Sequence, residues 1–147
     1  MNPIRKWLFA AGCLLAIQSV AQTKVANYYY NKAGTDQYEH ISLWVRNGQR
    51  ADISYAYGKD RKEVRLAFLG KDIVKGMPAF TVRFPNGSQL YLIPNGSSLN
   101  VTADKNRLPK LFTWEYEGPV NGIGTFCSVC AQDGREAMQL VRQYYLR

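Results

Sequence analysis

The sequence predicts a mainly β protein, an antiparallel meander of about eight strands that forms a small barrel or a curled sheet, with one C-terminal α-helix packed against it. Three observations predict this fold class. Apolar and polar residues alternate with a period of two over most of residues 25–117. Turn-forming residues separate the alternating runs at short intervals. Only near the C-terminus does the spacing of apolar residues change to that of a helix.

The N-terminal residues are typical of a secretory signal peptide. Arg5 and Lys6 precede an apolar run from Trp7 to Ile17, which is followed by the small-residue pattern Ser19-Val20-Ala21, so we expect cleavage after Ala21. The run is too short for a membrane-spanning helix, which needs about 20 apolar residues. We therefore expect an exported protein, periplasmic or secreted, without a transmembrane segment. A lipoprotein cleavage box that ends at Cys13 is the less favoured interpretation, because the apolar core before it would be short.

The rest of the chain, residues 22–147, has the size of one domain, and we predict a single β-barrel-like domain. Loss of residues 1–21 takes Arg5 and Lys6 from the formal net charge of +8 and leaves +6. A moderate positive charge favours acidic partners, such as an acidic protein or an anionic glycan. Because no nucleic-acid-binding motif accompanies this charge, we predict no binding to nucleic acid.

The strands are predicted from the alternation, beginning with the tyrosine-rich segment VANYYYN. Asn47-Gly48 supplies a tight hairpin turn between the second and third strands. The inward residues of these two strands are Ile41, Leu43, Val45, Ile53, Tyr55 and Tyr57. Those of the later strands are Val64, Leu66, Phe68, Phe80, Val82, Phe84, Leu90, Leu92, Leu99, Val101, Phe112, Trp114 and Tyr116.

Further turns are predicted at residues 58–60, 70–72, 86–87 and 94–96, where Gly, Asn, Asp and Pro cluster. Strands that are joined by such short turns pair antiparallel. A meander of this length leaves exposed edges unless it closes on itself, which favours a barrel or a strongly curled sheet.

The C-terminal residues predict a helix over about residues 133–146. Asp133 is placed to cap this helix, and Glu136 completes a capping-box pattern. One face of the helix is apolar, and we expect it to lie against the barrel wall or to plug an open end. The residues of this face are Ala137, Leu140, Val141 and Tyr144.

Cys127 and Cys130 are the only cysteines that remain after removal of residues 1–21. In an oxidising compartment we expect them to form a disulfide. A redox-active pair would need its first cysteine at a helix N-terminus, within a fold of alternating strands and helices. Because this alternation is missing and the helix is predicted to begin about four residues after Cys130, we favour a structural disulfide. A redox-active pair is the alternative.

Metal binding and catalysis have little support. The two cysteines and His40, the only histidine, provide three of the four ligands that a zinc site needs. We predict no metal and no cofactor. A Ser-His-Asp or Cys-His mechanism would have to use His40. Glu115 and Glu117 share one face of a predicted strand, but such carboxylates are usually ordinary surface residues. We therefore predict no catalytic residues and a non-enzymatic protein.

Binding is easier to argue than catalysis. An aromatic side chain beside guanidinium groups suits an anionic or sugar-bearing partner. The outward candidates for such a surface are Trp44, Arg46, Arg65 and Arg83. Alternatively, the barrel interior holds a small apolar ligand, although side chains often fill so small a barrel. The interior candidates are Tyr55, Tyr57, Phe68, Phe80 and Trp114.

A meander that ends in a helix resembles the lipocalin-type barrels and the small periplasmic lysozyme-inhibitor barrels. The chain has neither the Gly-x-Trp of the former nor the Ser-Ala-Ser-Gly loop of the latter, so the resemblance implies a fold and not a function. We expect an exported, non-enzymatic binding protein, ligand-binding or inhibitor-like. One alternative is an extracytoplasmic thiol-disulfide redox protein that uses Cys127 and Cys130. Another is a cell-surface component that assembles through its tyrosine-rich first strand.

Overall fold

The computed structural model describes residues 22–115 and 127–147, and it confirms the predicted fold class. Eight antiparallel strands close into one barrel in chain order, and the last strand pairs with the first. The strands are β1 (Thr23–Tyr30), β2 (Glu39–Arg46), β3 (Gln49–Tyr57), β4 (Lys62–Val74), β5 (Met77–Arg83), β6 (Gln89–Asn95), β7 (Ser98–Thr102) and β8 (Lys110–Trp114). After them comes helix α1 (Gly134–Tyr145).

Some of the predictions fall on residues outside the described ranges. These are the signal peptide of residues 1–21 with its alternative at Cys13, the inward Tyr116, and the second carboxylate, Glu117. Among the described residues, no helical segment has the length and apolar composition that a transmembrane span requires.

The core consists of the inward residues of the alternating pattern. Ile41, Leu43 and Val45 of β2 are at most 3% exposed, and Phe80 of β5 is fully buried. These residues belong to one cluster that also contains residues from every other strand and from α1. Since side chains alternate between the two faces of a strand, the period of two was sufficient to identify this face.

The predicted turn at residues 70–72 is wrong, because β4 continues through it to Val74. Gly70 has a φ of 138° and lies at a bulge, where the pairing with β5 shifts between Phe68 and Gly70. A glycine with positive φ accommodates such a bulge as readily as a turn. The hairpin instead turns at Lys75 and Gly76, whose φ angles are 49° and 77°. This β4–β5 hairpin projects further than the sequence predicts.

The strand connections define two ends of the barrel. At the closed end lie the β2–β3, β4–β5 and β6–β7 turns together with α1. At the open end lie the β1–β2, β3–β4, β5–β6 and β7–β8 loops. Helix α1 places its apolar side on the closed end, where its buried residues join the barrel core. This arrangement confirms that the helix packs against the barrel.

The start of α1 has the predicted capping pattern. The carboxylate of Asp133 accepts a hydrogen bond from the backbone N–H of Glu136 at 2.7 Å. The carboxylate of Glu136 accepts from the backbone N–H of Gln132, also at 2.7 Å, one residue before the Asp133 N–H that a standard capping box uses. The buried face is rotated from the predicted one, since Met138 and Tyr145 are buried whereas Leu140 and Tyr144 are half-buried. Its buried residues are Ala137, Met138, Val141 and Tyr145.

The C-terminal end of α1 fills a gap between β3 and β4. The described pairing of β3 with β4 ends at Ile53 and Leu66, and the rest of β4 pairs with β5. The Tyr145 ring packs against Phe68 and Phe80, with centroid separations of 5.8 and 5.4 Å. The Tyr145 hydroxyl donates to the carbonyl oxygen of Trp44 at 2.6 Å. Helix α1 therefore bridges β3 and β4 at this end of the barrel, where the two strands no longer pair with each other.

Candidate functional site

An apolar cleft opens at the open end of the barrel. It has a volume of about 460 Å³ and is lined by Tyr55, Tyr57, Val64, Phe84, Pro85, Asn86 and Ser88. Tyr55 and Val64 occupy inward positions of β3 and β4, and Phe84 comes directly after β5. Side chains continue to alternate between the two faces of each strand beyond the packed core. The inward side chains near the open end therefore point toward the barrel axis.

Three of the side chains that line this cleft are aromatic and contact one another. The ring of Tyr55 stacks on Tyr57 with a centroid separation of 5.8 Å, and it meets Phe84 edge to face at 5.1 Å. Such offset and edge-to-face contacts hold rings in defined orientations. Tyr57 remains 42% exposed, so part of its ring is presented to solvent. A ligand in the cleft would meet a rigid aromatic surface.

A second pocket adjoins the cleft and shares Tyr55 and Tyr57 with it. Its volume is about 410 Å³, and its lining is Tyr30, Asn31, Asp36, Gln37, Tyr38, Glu39, Tyr55, Tyr57 and Lys110. This lining comes mainly from the β1–β2 loop and the adjacent strand ends. The two tyrosines thus divide the mouth of the barrel into an apolar side and a more polar side.

A charged group fixes the position of Tyr55. The Tyr55 hydroxyl donates to one oxygen of Glu39 at 2.5 Å, and the ammonium group of Lys110 lies 2.6 Å from the other oxygen. Burial, and then the hydrogen bond to Glu39, raise the pKa of Tyr55 above its usual range. The phenol therefore stays protonated at neutral pH and donates its hydrogen to Glu39.

The rim of the cleft carries an amide and a hydroxyl group. The side-chain oxygen of Asn86 accepts from the backbone N–H of Ser88 at 3.0 Å and from its hydroxyl at 2.6 Å. These bonds shape the β5–β6 loop and use only the oxygen of Asn86. Its amide hydrogens are separate donors, so the rim can offer a polar contact to a ligand.

The predicted disulfide between Cys127 and Cys130 is present. Its segment pairs with the first half of β1, since Val25 donates to the Val129 carbonyl at 2.8 Å and Ala131 donates to the Val25 carbonyl at 2.9 Å. In the described residues, β8 pairs with β1 only at Tyr28 and Tyr29. The disulfide segment thus continues the barrel seam beyond the end of β8.

A buried polar cluster lies beside the disulfide on the outer side of β1 and β2. Asn27, 6% exposed, donates to the sulfur of Cys130 at 3.4 Å. Its side-chain oxygen accepts from the Ser42 hydroxyl at 2.8 Å and lies 3.1 Å from Nε2 of His40. Ser42 lies 3.0 Å from the same nitrogen. In a Ser-His-Asp or Ser-His-Asn relay the serine and the third group contact different ring nitrogens, whereas Ser42 and Asn27 both approach Nε2, so these three residues do not form such a relay.

Sequence reasoning identified His40 but missed its partners Asn27 and Ser42. Both occupy outward positions of their strands, which the alternation assigns to the surface, yet both are at most 6% exposed. The available signal was Asn27 itself, because asparagine is depleted within strands and stands here in a tyrosine-rich one.

The structure brings together two of the four outward candidates. Arg46 and Arg65 flank the carboxylate of Asp52 at 3.6 and 3.8 Å. Trp44 is half-buried, and Arg83 is exposed on β5, one strand beyond Arg65. Asp52 compensates part of the positive charge, which weakens the attraction of this face for an anionic partner.

The five interior candidates divide between the two ends. Phe80 is fully buried, and Phe68 and Trp114 are half-buried against the core. Tyr55 and Tyr57 line the open-end cleft. The closed half of the interior is therefore filled by side chains, and the open space lies at the mouth.

The remaining candidates concern metal binding and the surface carboxylates. Among the described residues, no group of three or more His, Cys, Asp or Glu side chains is placed to hold a metal ion. Glu115 is exposed just after β8.

Comparison of the chain with models of protein families, with curated proteins and with solved structures found no match.

Proposed function

We propose that the protein is an exported, non-enzymatic binding protein that holds a small, largely apolar ligand in the open-end cleft. One observation carries this proposal. Helix α1 covers one end of the barrel, whereas at the other end the inward side chains line an open cleft of about 460 Å³. Ligand sites are typically concave, mostly apolar and of about this size.

The lining indicates the chemistry of the ligand. Tyr57 and Phe84 offer aromatic surface, while Asn86 supplies a donor at the rim. Because Glu39 is held by Lys110 and the Tyr55 hydroxyl, the mouth presents a compensated charge pair. These features favour an uncharged ring with one or two polar substituents over an acidic protein or an anionic glycan.

The other functions receive less support from the same structure. Cys130 is 3% exposed and α1 begins four residues after it, so the helix N-terminus is poorly placed to activate Cys127 for redox chemistry. Strand β1 pairs with β2 on one side and with β8 and the disulfide segment on the other. This pairing leaves little of β1 for assembly with another chain. The disulfide itself is compatible with export to an oxidising compartment.

A fluorescence titration with the neutral aromatic probe N-phenyl-1-naphthylamine tests the proposal. We expect one saturable site per chain. Phe84→Ala removes one wall of the cleft and should weaken probe binding by about tenfold, and Tyr57→Ala should have a similar effect. The matched control is Leu108→Ala, since Leu108 is 92% exposed in the β7–β8 loop at the same end but does not line the cleft.

Thermal melts of each variant establish that the barrel is still folded, which we expect because Tyr57 and Phe84 are partly exposed. A loss of probe binding in a folded variant can then be assigned to the cleft. Probe binding that Phe84→Ala leaves unchanged, or that Leu108→Ala weakens equally, would place the probe elsewhere and overturn the cleft as the ligand site.

A further inference from the structure

A second surface lies at the closed end, away from the cleft. The β4–β5 hairpin projects there and exposes two large apolar side chains, Ile73 at 66% and Met77 at 41%. Lys71 and Lys75 are exposed on the same hairpin. The two apolar side chains lie on opposite faces of the hairpin, because Met77 pairs directly with Val74, the neighbour of Ile73, so the tip is apolar on both sides. Exposed apolar side chains at a projecting tip usually mark an interaction site.

The outer side of α1 is basic. Its exposed residues, with the C-terminal residue of the chain, are Arg135, Gln139, Arg142, Gln143 and Arg147. Glu136, the acidic residue of the first turn, accepts from the N–H of Gln132 and lies 3.4 Å from the ammonium group of Lys24. The exposed residues within α1 are therefore arginines and glutamines, and the carboxylate of Asp133, just before the helix, is engaged in capping the N–H of Glu136.

The hairpin and the helix belong to one continuous surface. Leu146, directly after α1, lines a groove of about 560 Å³ together with Lys71, Ile73 and Pro78. Arg147 lines the neighbouring depression with Gly48 and Arg50 of the β2–β3 hairpin. We call this surface the basic face. It comprises Lys71, Ile73, Lys75, Met77, Arg135, Arg142 and Arg147.

We infer that the basic face docks on the surface of an anionic lipid membrane. Apolar side chains at a projecting tip can enter the interfacial region of a bilayer. Lysine and arginine side chains around such a tip extend toward the phosphate groups, and each contributes to binding. The combination of Ile73 and Met77 with flanking cations fits both properties of a membrane surface, whereas a soluble polyanion would match only the charges.

Addition of a strand from a second copy of the chain is less suited to this hairpin. The Asp72 carboxylate accepts a hydrogen bond from the backbone N–H of Ile73 at 2.7 Å, which satisfies that donor within the chain. Lys71 and Lys75 would also meet like charges from a second hairpin. Such features are typical of strand edges that resist pairing. The lipid surface needs no such pairing.

Docking through the basic face would direct the open end of the barrel away from the membrane. The cleft would then face the surrounding solution. This inference does not depend on the proposed ligand site, because the two surfaces lie at opposite ends and share no residue.

Vesicle co-sedimentation tests the inference with the chain from residue 22 onwards, which contains every strand of the closed barrel and α1. The vesicles are phosphatidylcholine alone and an equal mixture of phosphatidylcholine and phosphatidylglycerol. We expect binding to the mixed vesicles that weakens as sodium chloride is added. Replacing Arg135, Arg142 and Arg147 with Gln should lower the partition coefficient by about fivefold per charge.

The apolar part of the inference has its own matched pair of variants. Ile73→Ser should lower partition by about fivefold and leave its salt dependence unchanged, whereas Leu108→Ser, at the open end, should have no effect. Equal binding to both kinds of vesicle, or equal losses for Ile73→Ser and Leu108→Ser, would overturn the inference. If the arginine substitutions lower the partition coefficient and Ile73→Ser does not, the membrane inference is overturned, and a soluble polyanion becomes the better partner for the basic face. Probe affinity of the cleft should be unchanged in every variant.

Discussion

The two ends of the barrel are built from the same alternating strands, but they differ in what covers them. At the closed end, α1 adds Met138, Val141 and Tyr145 to the core, and Tyr145 reaches Phe68 and Phe80. At the open end, the inward rings of Tyr55 and Phe84 line a cleft. One strand pattern therefore gives a packed core at the end that α1 covers and an open cleft at the end that it does not cover.

The largest expected effect comes from Tyr145→Ala, which tests whether the closed end holds the fold together. Tyr145 is fully buried, and its hydroxyl donates to the Trp44 carbonyl. Removing this ring leaves a cavity and an unfilled gap between β3 and β4, so the free energy of unfolding should fall by about 4 kcal/mol. Urea denaturation followed by tryptophan fluorescence measures this loss.

Tyr57→Ala is the control for this prediction at the open end. Tyr57 is 42% exposed, so its removal should lower the free energy of unfolding by about 1 kcal/mol or less. If the two substitutions destabilise the protein equally, the ends do not differ in the way that we describe.

The disulfide should have the next largest effect. Replacing Cys127 and Cys130 together with Ser removes the constraint on a short loop, which is expected to cost about 2 kcal/mol. It also loosens the segment whose backbone pairs with Val25. Urea denaturation with and without a reducing agent measures the loss, and probe binding at the open end should be retained.

Ser128→Ala, an exposed change between the two cysteines, is the matched control for this prediction. It should leave the free energy of unfolding unchanged. A double cysteine variant as stable as the native protein would contradict the structural role and make exchange chemistry the better interpretation.

The sequence alone was enough for the fold class, because alternation reports which face of a strand is buried. It also located α1, since Asp133 and Glu136 mark a helix start through local contacts. The buried side of α1 was predicted less well, with Tyr144 expected in place of Tyr145. Both tyrosines continue an apolar stripe, and the gap that Tyr145 fills depends on where β3 and β4 separate.

The candidate site was only partly predictable, because it too depends on contacts between residues that are distant in the sequence. Tyr55 and Tyr57 were recognised as inward residues, but nothing local indicates that they lie beyond the packed core. Their partners come from other parts of the chain, Glu39 from β2 and Phe84 from the β5–β6 loop. The cluster around Asn27 was missed because its burial depends on the disulfide segment, which lies 103 residues further along the chain at Cys130.

The smallest expected effect concerns the tyrosines buried at each end and appears only at high pH. Burial raises the pKa of Tyr145 at the closed end, and burial with the Glu39 hydrogen bond raises that of Tyr55 at the open end. In the unfolded chain both ionise near pH 10. The unfolded state therefore loses these protons first, and stability that is fully present below pH 10 is lost as the pH rises above it.

Between pH 8 and pH 11, each such tyrosine should remove about 1 kcal/mol from the free energy of unfolding. Tyr145→Phe should cost about 1 kcal/mol at pH 8, through the lost hydrogen bond to Trp44, but should make the decline toward pH 11 shallower. Tyr55→Phe should make it shallower to a similar extent. Urea denaturation at a series of pH values measures both slopes. If the free energy of unfolding of these variants falls with pH as steeply as that of the native protein, the phenols ionise in the folded state at their ordinary pKa. The conclusion that Tyr145 is packed within the closed end would then be wrong.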